Sequence, residues 1–333
     1  MKKKYLQLII LLAVLLLIVA AYVITSKLAQ SDTDDADEDE NEYVMLVDLN
    51  YTNVTSVSYT RNGETVKILT DSSAYGSYGL DGDSEFPLDK TKAIAMTQAV
   101  ASIRCTRFVE DSRERFADYG LDEPEYVISA TYDTNTAITI NVGSYNSFTK
   151  TNYMNVDGTN KVYMISPAIL DHFDYSKLEL VSHDTKPAIG SDEITRIELS
   201  QNDGAQLVYT KTDDEWFVGN SGQPADETQI ELIKRALMGL TLTDCADYAV
   251  NENQKLEKYG LLSPAVKATV TYKKEYAVTD GASSSSVSTK VDHTFTVLIG
   301  NADEENEIRY IKLPDSQLVY KISAELLSPL LQN

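Results

Sequence analysis

Residues 5–25 form an unbroken apolar run in which Gln7 is the one strongly polar interior position. About 20 helical residues at roughly 1.5 Å each cross the hydrocarbon core of a bilayer, so the run predicts a transmembrane helix. Farther along, the apolar positions shorten into strand-length groups. Residues 54–59 and 66–69 flank Asn62-Gly63, the strongest short hairpin signal. Ala93, Met96, Val100 and Ile103 then follow helical spacing, with Asp89 as the cap. Ile230, Ile233, Leu237 and Leu240 repeat that stripe behind Asp226, and Gln229 adds a capping-box signal. Strands are predicted over residues 126–132, 137–142, 153–156 and 162–165, and a short helix from Ser166 with Ile169, Leu170 and Phe173 inward.

The same order occurs twice. Val54-Thr55-Ser56-Val57 reads like Ile194-Thr195-Arg196-Ile197, and Tyr119-Gly120-Leu121 with Pro124 returns as Tyr259-Gly260-Leu261 with Pro264, both 140 positions on. Pro87 and Asp89 match Pro224 and Asp226 at 137. Val142-Gly143 matches Ile299-Gly300 at 157, as Val162-Tyr163 matches Val319-Tyr320. An ordered series of this kind predicts an internal duplication. The added residues of the second copy fall around 276–292 and include four consecutive serines, Ser283 to Ser286, which predicts a flexible polar insertion between two strands. The expected class is α+β: two tandem ββαββββα modules after the transmembrane helix, each an antiparallel sheet with a packed helix. The boundaries are a tail at residues 1–4, an anchor at 5–25, a stalk at 26–43, modules at 44–182 and 193–333, and a linker at 183–192.

Charge fixes the orientation. Lys2, Lys3 and Lys4 precede the apolar run and hold the N-terminus in the cytoplasm, which places the modules outside. A cleaved signal peptide would have a shorter apolar region and small residues at its end, and Thr25-Ser26-Lys27-Leu28-Ala29 has no such pattern. The block Ser31 to Glu42 is a self-repelling acidic spacer. A net charge of −22 excludes nucleic acid as a partner, because phosphate binding needs clustered cations. It also opposes adhesion of the whole soluble part to anionic lipid.

Candidate chemistry is sparse. Cys105 and Cys245 read as buried thiols, too few for a disulfide framework. His172, His183 and His293 share no motif with a cysteine or another histidine, so no metal site is expected. Ser182-His183-Asp184 holds triad residue types, but a triad is assembled from separate segments. Asp81 to Glu85 alternates carboxylates like a calcium loop, yet Phe86 and Lys92 stand where that loop needs Gly and Glu. Asp303 to Glu307 reads as a solvated hairpin loop. Gly76, Gly79 and Gly82 match no phosphate-binding pattern. Paired carboxylates for glycoside hydrolysis are not selected by anything in the pattern. No catalytic, cofactor-binding or metal residue is expected. The copies share Gly, Pro, Tyr, a cap and apolar positions, while Asp122 and Glu123 become Leu262 and Ser263.

A Tyr-Gly-Leu-x-x-Pro turn after an amphipathic helix, followed by strands ending in Gly and a Val-Tyr-x-Ile-Ser segment, resembles the DUF4340 family, once per copy. The resemblance implies a bacterial or archaeal protein with no assigned enzymatic activity and an envelope or ABC-transporter partner. The expected function is a non-catalytic, membrane-tethered extracytoplasmic interaction module. An extracytoplasmic peptide- or glycan-binding protein is the alternative, favoured if exposed aromatic residues cluster on one face. A hydrolase is the third reading.

Overall fold

The computed structural model describes residues 43–71, 77–133, 136–219, 221–279 and 286–331. The predicted tail, anchor, nearly all of the stalk, Gly76 and the centre of the Ser-rich insertion lie outside them. Among the described residues no helix is long and apolar enough to cross a membrane.

Most of the chain is antiparallel sheet, with few helices. The first sheet contains β1 (Val44–Asp48), β2 (Val54–Arg61), β3 (Glu64–Asp71), β4 (Ser77–Leu80), β5 (Ser102–Asp111), β6 (Tyr126–Tyr132), β7 (Ala137–Asn146), β8 (Thr151–Val156) and β9 (Lys161–Ile165). Its strand order is β1-β5-β9-β8-β7-β6-β2-β3-β4. The second contains β10 (Ile194–Gln201), β11 (Gln206–Thr212), β12 (Glu215–Val218), β13 (Gln223–Pro224), β14 (Cys245–Asp247), β15 (Val266–Thr279), β16 (Ser286–Asp303), β17 (Ile308–Lys312) and β18 (Val319–Ser323). Its order is β13-β12-β11-β10-β15-β16-β17-β18-β14. Helix α1 (Lys90–Ala101) lies between β4 and β5, and α2 (Glu227–Met238) between β13 and β14.

Contacts divide the chain into two compact units. One holds the described residues up to Asn50, with Ala101–Val127 and Ile138–Ile169; the other holds Tyr51–Val100, Ile128–Ala137 and Leu170–Asn333.

Local chemistry explains the elements. Asn62 and Gly63, at φ 51° and 78°, supply the two left-handed residues of the tight turn between β2 and β3. Asp89 caps α1 by accepting from the amides of Thr91 at 2.9 Å and Lys92 at 3.4 Å. Asp226 does the same for α2 with Thr228 and Gln229. Among the described residues no return bond from the Asp226 amide closes a capping box; the Gln229 side-chain nitrogen donates to the Pro329 carbonyl at 3.4 Å. Ala93, Met96 and Val100 are fully buried, as are Ile230, Ile233 and Leu237. Each of these side chains other than that of Ala93 contributes about 1.5–3 kcal/mol on leaving water.

Three expectations are corrected. Ile103 belongs to β5, not to the helix, and Leu240 follows the end of α2. Both are buried, so the apolar spacing continues while the backbone changes state. The ββαββββα reading therefore omits a strand between helix and Tyr-Gly-Leu turn in each copy, β5 and β14, besides edge strands such as β1 and β4. The described flanks of the insertion are strand rather than loop. They extend β15 and β16 into a long hairpin, paired in register from Val266 opposite Ile299 to Thr279 opposite Ser286. Tyr276 and Val291, aromatic and β-branched, suit such arms.

Candidate functional site

Each Tyr-Gly-Leu turn is built by a glycine, a tyrosine and a carboxylate. Gly120 and Gly260 have φ of 68° and 67°, the left-handed conformation expected of them. Opposite them, a Cβ on Gly143 would collide with the Tyr119 carbonyl oxygen, and one on Gly300 with that of Tyr259. The Asn152 amide donates to the Gly143 carbonyl at 3.1 Å, and the Arg309 guanidinium to the Gly300 carbonyl at 2.8 Å. The Tyr119 hydroxyl donates to the Glu110 carboxylate. The Tyr259 hydroxyl donates to Asp247 at 2.8 Å. Tyr153 and Tyr310 pack on these rings, with centroids 4.6 and 4.9 Å away. Phe116, Leu121 and Val162 complete one small core; Val250, Leu261 and Val319 complete the other.

The pairing of Glu110 with Asp247 was missed in the sequence. Glu110 precedes its tyrosine by 9 residues and Asp247 by 12, so the two carboxylates align at 137, not at the 140 of the turn. The two turns do share an acid. Its role is a hydrogen bond that pins the turn to the adjacent strand; the carboxylate bond raises the Tyr119 pKa, and burial raises that of Tyr259. Neither phenol is activated as a nucleophile.

The carboxylates at residues 81–85 do form a turn, and one of them is occupied. The Asp83 carboxylate accepts from the Tyr248 hydroxyl and from the Lys177 ammonium, the latter at 3.2 Å. Lys177 also donates to the Tyr248 oxygen at 2.7 Å and sits 5.4 Å from the centre of the Phe86 ring. Phe86 and Tyr248 meet edge to face at 4.9 Å. Hydrogen bonds from Tyr248 and then Lys177 lower the Asp83 pKa, and the Tyr248 bond raises that of Lys177.

Ser182, His183 and Asp184 do not converge on one another. The Ser182 amide donates to Pro87, while the Asp184 carboxylate accepts from Ser316 and from Tyr320 at 3.1 Å. His183 Nδ1 is buried without a partner among the described residues, and burial lowers the imidazole pKa. His293 stacks on Tyr272, and its Nε2 lies 3.1 Å from the Tyr276 hydroxyl. His172 ends the 3-10 turn at Pro167–His172. Cys105 and Cys245 are free and buried, and burial pushes the Cys105 thiol up to about 12. Gly82 takes φ 75° in the turn, and Gly79 lies in β4. Among the described residues no group of His, Cys, Asp or Glu is placed to hold a metal ion.

Exposed contact chemistry gathers in the first unit. Arg104 lies 5.1 Å from the centre of the Tyr43 ring. Tyr43, Thr106, Arg107, Thr149, Thr151 and Met164 line a groove of about 250 Å³. Neither arginine has an ion-pair partner among the described residues. At the end of the β7–β8 hairpin Phe148 is 98% exposed. Asn146 fixes it there, its Oδ1 accepting from the amides of Phe148 at 3.0 Å and Thr149 at 3.3 Å. The hairpin between β16 and β17 repeats this turn: Asp303 Oδ1 accepts from the Asn306 amide at 3.3 Å, and Glu307, at φ 53°, takes the place of Lys150, at φ 56°. Its tip is Glu304-Glu305-Asn306-Glu307 where the first has Ser147-Phe148-Thr149-Lys150.

A family model described as "Domain of unknown function (DUF4340)" matches residues 79–252. The match is one continuous stretch across the junction, rather than one per copy. No curated protein and no solved structure matches the chain.

Proposed function

Because the chain belongs to the DUF4340 family, whose description assigns no activity, we propose from its surface that it is a non-catalytic, membrane-tethered extracytoplasmic interaction module. The observation that carries the reading is the groove beside Tyr43 and Arg107, where an aromatic ring, a thioether and a guanidinium with no ion-pair partner among the described residues share one opening. Aromatic residues, Met and Arg are enriched at protein contact sites. The tether is residues 5–25, with Lys2 to Lys4 cytoplasmic and the rest of the chain outside. The paired turns, caps and hairpins support a tandem duplication in which one scaffold is used twice. The partner class is an envelope or ABC-type transport assembly, as the family resemblance implies.

A photo-crosslinking residue at Arg107 in the full chain, activated in intact membranes, tests this. One discrete protein adduct is expected there and none from the same residue at Asp214, an exposed site in a charged region. Absence of an adduct at position 107, or the same adducts from both, contradicts the reading. A peptide- or glycan-binding function draws support from the hydroxyls of Thr106, Thr149 and Thr151 beside the Tyr43 ring. Saturable binding of cell-wall oligosaccharide, abolished by Tyr43→Ala, would favour it.

A further inference from the structure

The two matched hairpin tips share a backbone and oppose each other in chemistry. Residues 137–156 contain no Asp or Glu in a chain with 51 of them. They present Tyr145, Phe148 and Lys150, all exposed. Residues 294–313 carry Asp303, Glu304, Glu305 and Glu307 on the corresponding hairpin. A phenylalanine held at 98% exposure by a side-chain-capped turn keeps its whole ring open to an apolar medium. Lys150 stands two residues away, and Arg107 shares a groove with Thr149 of the same tip. An exposed aromatic ring with a lysine two residues away and no carboxylate on its hairpin is the chemistry of a bilayer interface whose headgroups are anionic.

We infer that the tip at residues 145–151 seats Phe148 in the interfacial layer of an anionic bilayer, with Lys150 against the headgroups. The inference rests on the tether proposed above and adds a second point of membrane contact. The net charge of −22 opposes adhesion of the whole chain, but a contact confined to an acid-free tip does not have to bring the rest of that charge to the surface. Residues 26–42 span at most about 60 Å when extended, which keeps the tip within reach of the membrane holding residues 5–25. The acidic tip of the second copy is repelled by the same surface.

The full chain carrying Phe148→Trp or Glu305→Trp, in nanodiscs of phosphatidylglycerol and phosphatidylcholine with brominated acyl chains, gives the test. Trp216 is common to both variants. A ring about 5–10 Å into the headgroup boundary should lose about half of its added emission in the Phe148→Trp protein, and the Glu305→Trp protein should lose none. Lys150→Glu added to Phe148→Trp should restore the emission. Equal quenching of the two tryptophans, or none at position 148 in chains that remain in the discs, overturns the inference and leaves the tether standing. Undiminished quenching with phosphatidylcholine alone overturns its anionic part. Chains that separate from the discs overturn the tether, and the inference with it.

Discussion

The tips of the β7–β8 and β16–β17 hairpins have the same turn and opposite chemistry. Each is closed by an Asx residue, Asn146 or Asp303, accepting from backbone amides of the turn. Each ends on a left-handed residue, Lys150 or Glu307. Two constraints per turn hold the geometry, and the tip carries Phe148 and Lys150 in one hairpin and Glu304, Glu305 and Glu307 in the other. The Tyr-Gly-Leu turns behave oppositely: close backbone approach, a phenol–carboxylate bond and a small apolar core leave little room for change. The paired segments agree where atoms touch and differ in surface chemistry where they do not.

The largest effects should come from the retained parts. Gly143→Val and Gly300→Val should each cost about 3 kcal/mol, the upper range for forcing atoms into a packed site, measured by denaturant unfolding of the full chain in detergent. If one is tolerated, the two turns are not equivalent. Tyr119→Phe and Tyr259→Phe should cost about 1–2 kcal/mol each, the range for leaving a polar partner short of a hydrogen bond. Tyr259→Phe should cost more, because Glu110 keeps Arg115 at 3.2 Å; the reverse order would show that Arg115 contributes nothing there.

Asp83→Asn probes a contact present once. The Asp83 pKa is lowered in the fold, so its carboxylate stabilises above the ordinary carboxylate range and that contribution is lost as pH falls through the lowered value. Wild type should melt higher than Asp83→Asn near neutral pH, and the difference should vanish in acid; a difference independent of pH would rule out ionisation as its source. Smallest of all, Phe148→Ser and Glu305→Ser should both change stability by less than about 0.5 kcal/mol, as exposed substitutions do. A large loss in either would mean that the tip supports the fold.

Much of this architecture was legible in the residues. Asn62-Gly63, the caps Asp89 and Asp226, strand Tyr126–Tyr132 and the left-handed glycines Gly120 and Gly260 follow from local steric and hydrogen-bonding preferences that tertiary context did not override. What was hidden depended on distance in space. Ile103 and Leu240 continue a helical spacing past the helix ends, so periodicity alone could not show where β5 and β14 take over. Glu110 and Asp247 were obscured by three additional residues between Asp247 and Tyr259. Serines at 283–286 suggested a loose insertion, whereas the flanks continue a ladder already in register. The residues of both hairpin tips were readable; the full exposure of Phe148 was not, because it depends on what fails to pack there.

Hydrogen–deuterium exchange of the full chain, in anionic nanodiscs against detergent micelles, addresses the contrast between the copies most directly. Peptides spanning 145–151 should exchange more slowly in the discs, while those spanning 302–308 exchange alike in both. Equal protection of the two tips, or protection of the acidic tip alone, would contradict the assignment of membrane contact to the first copy.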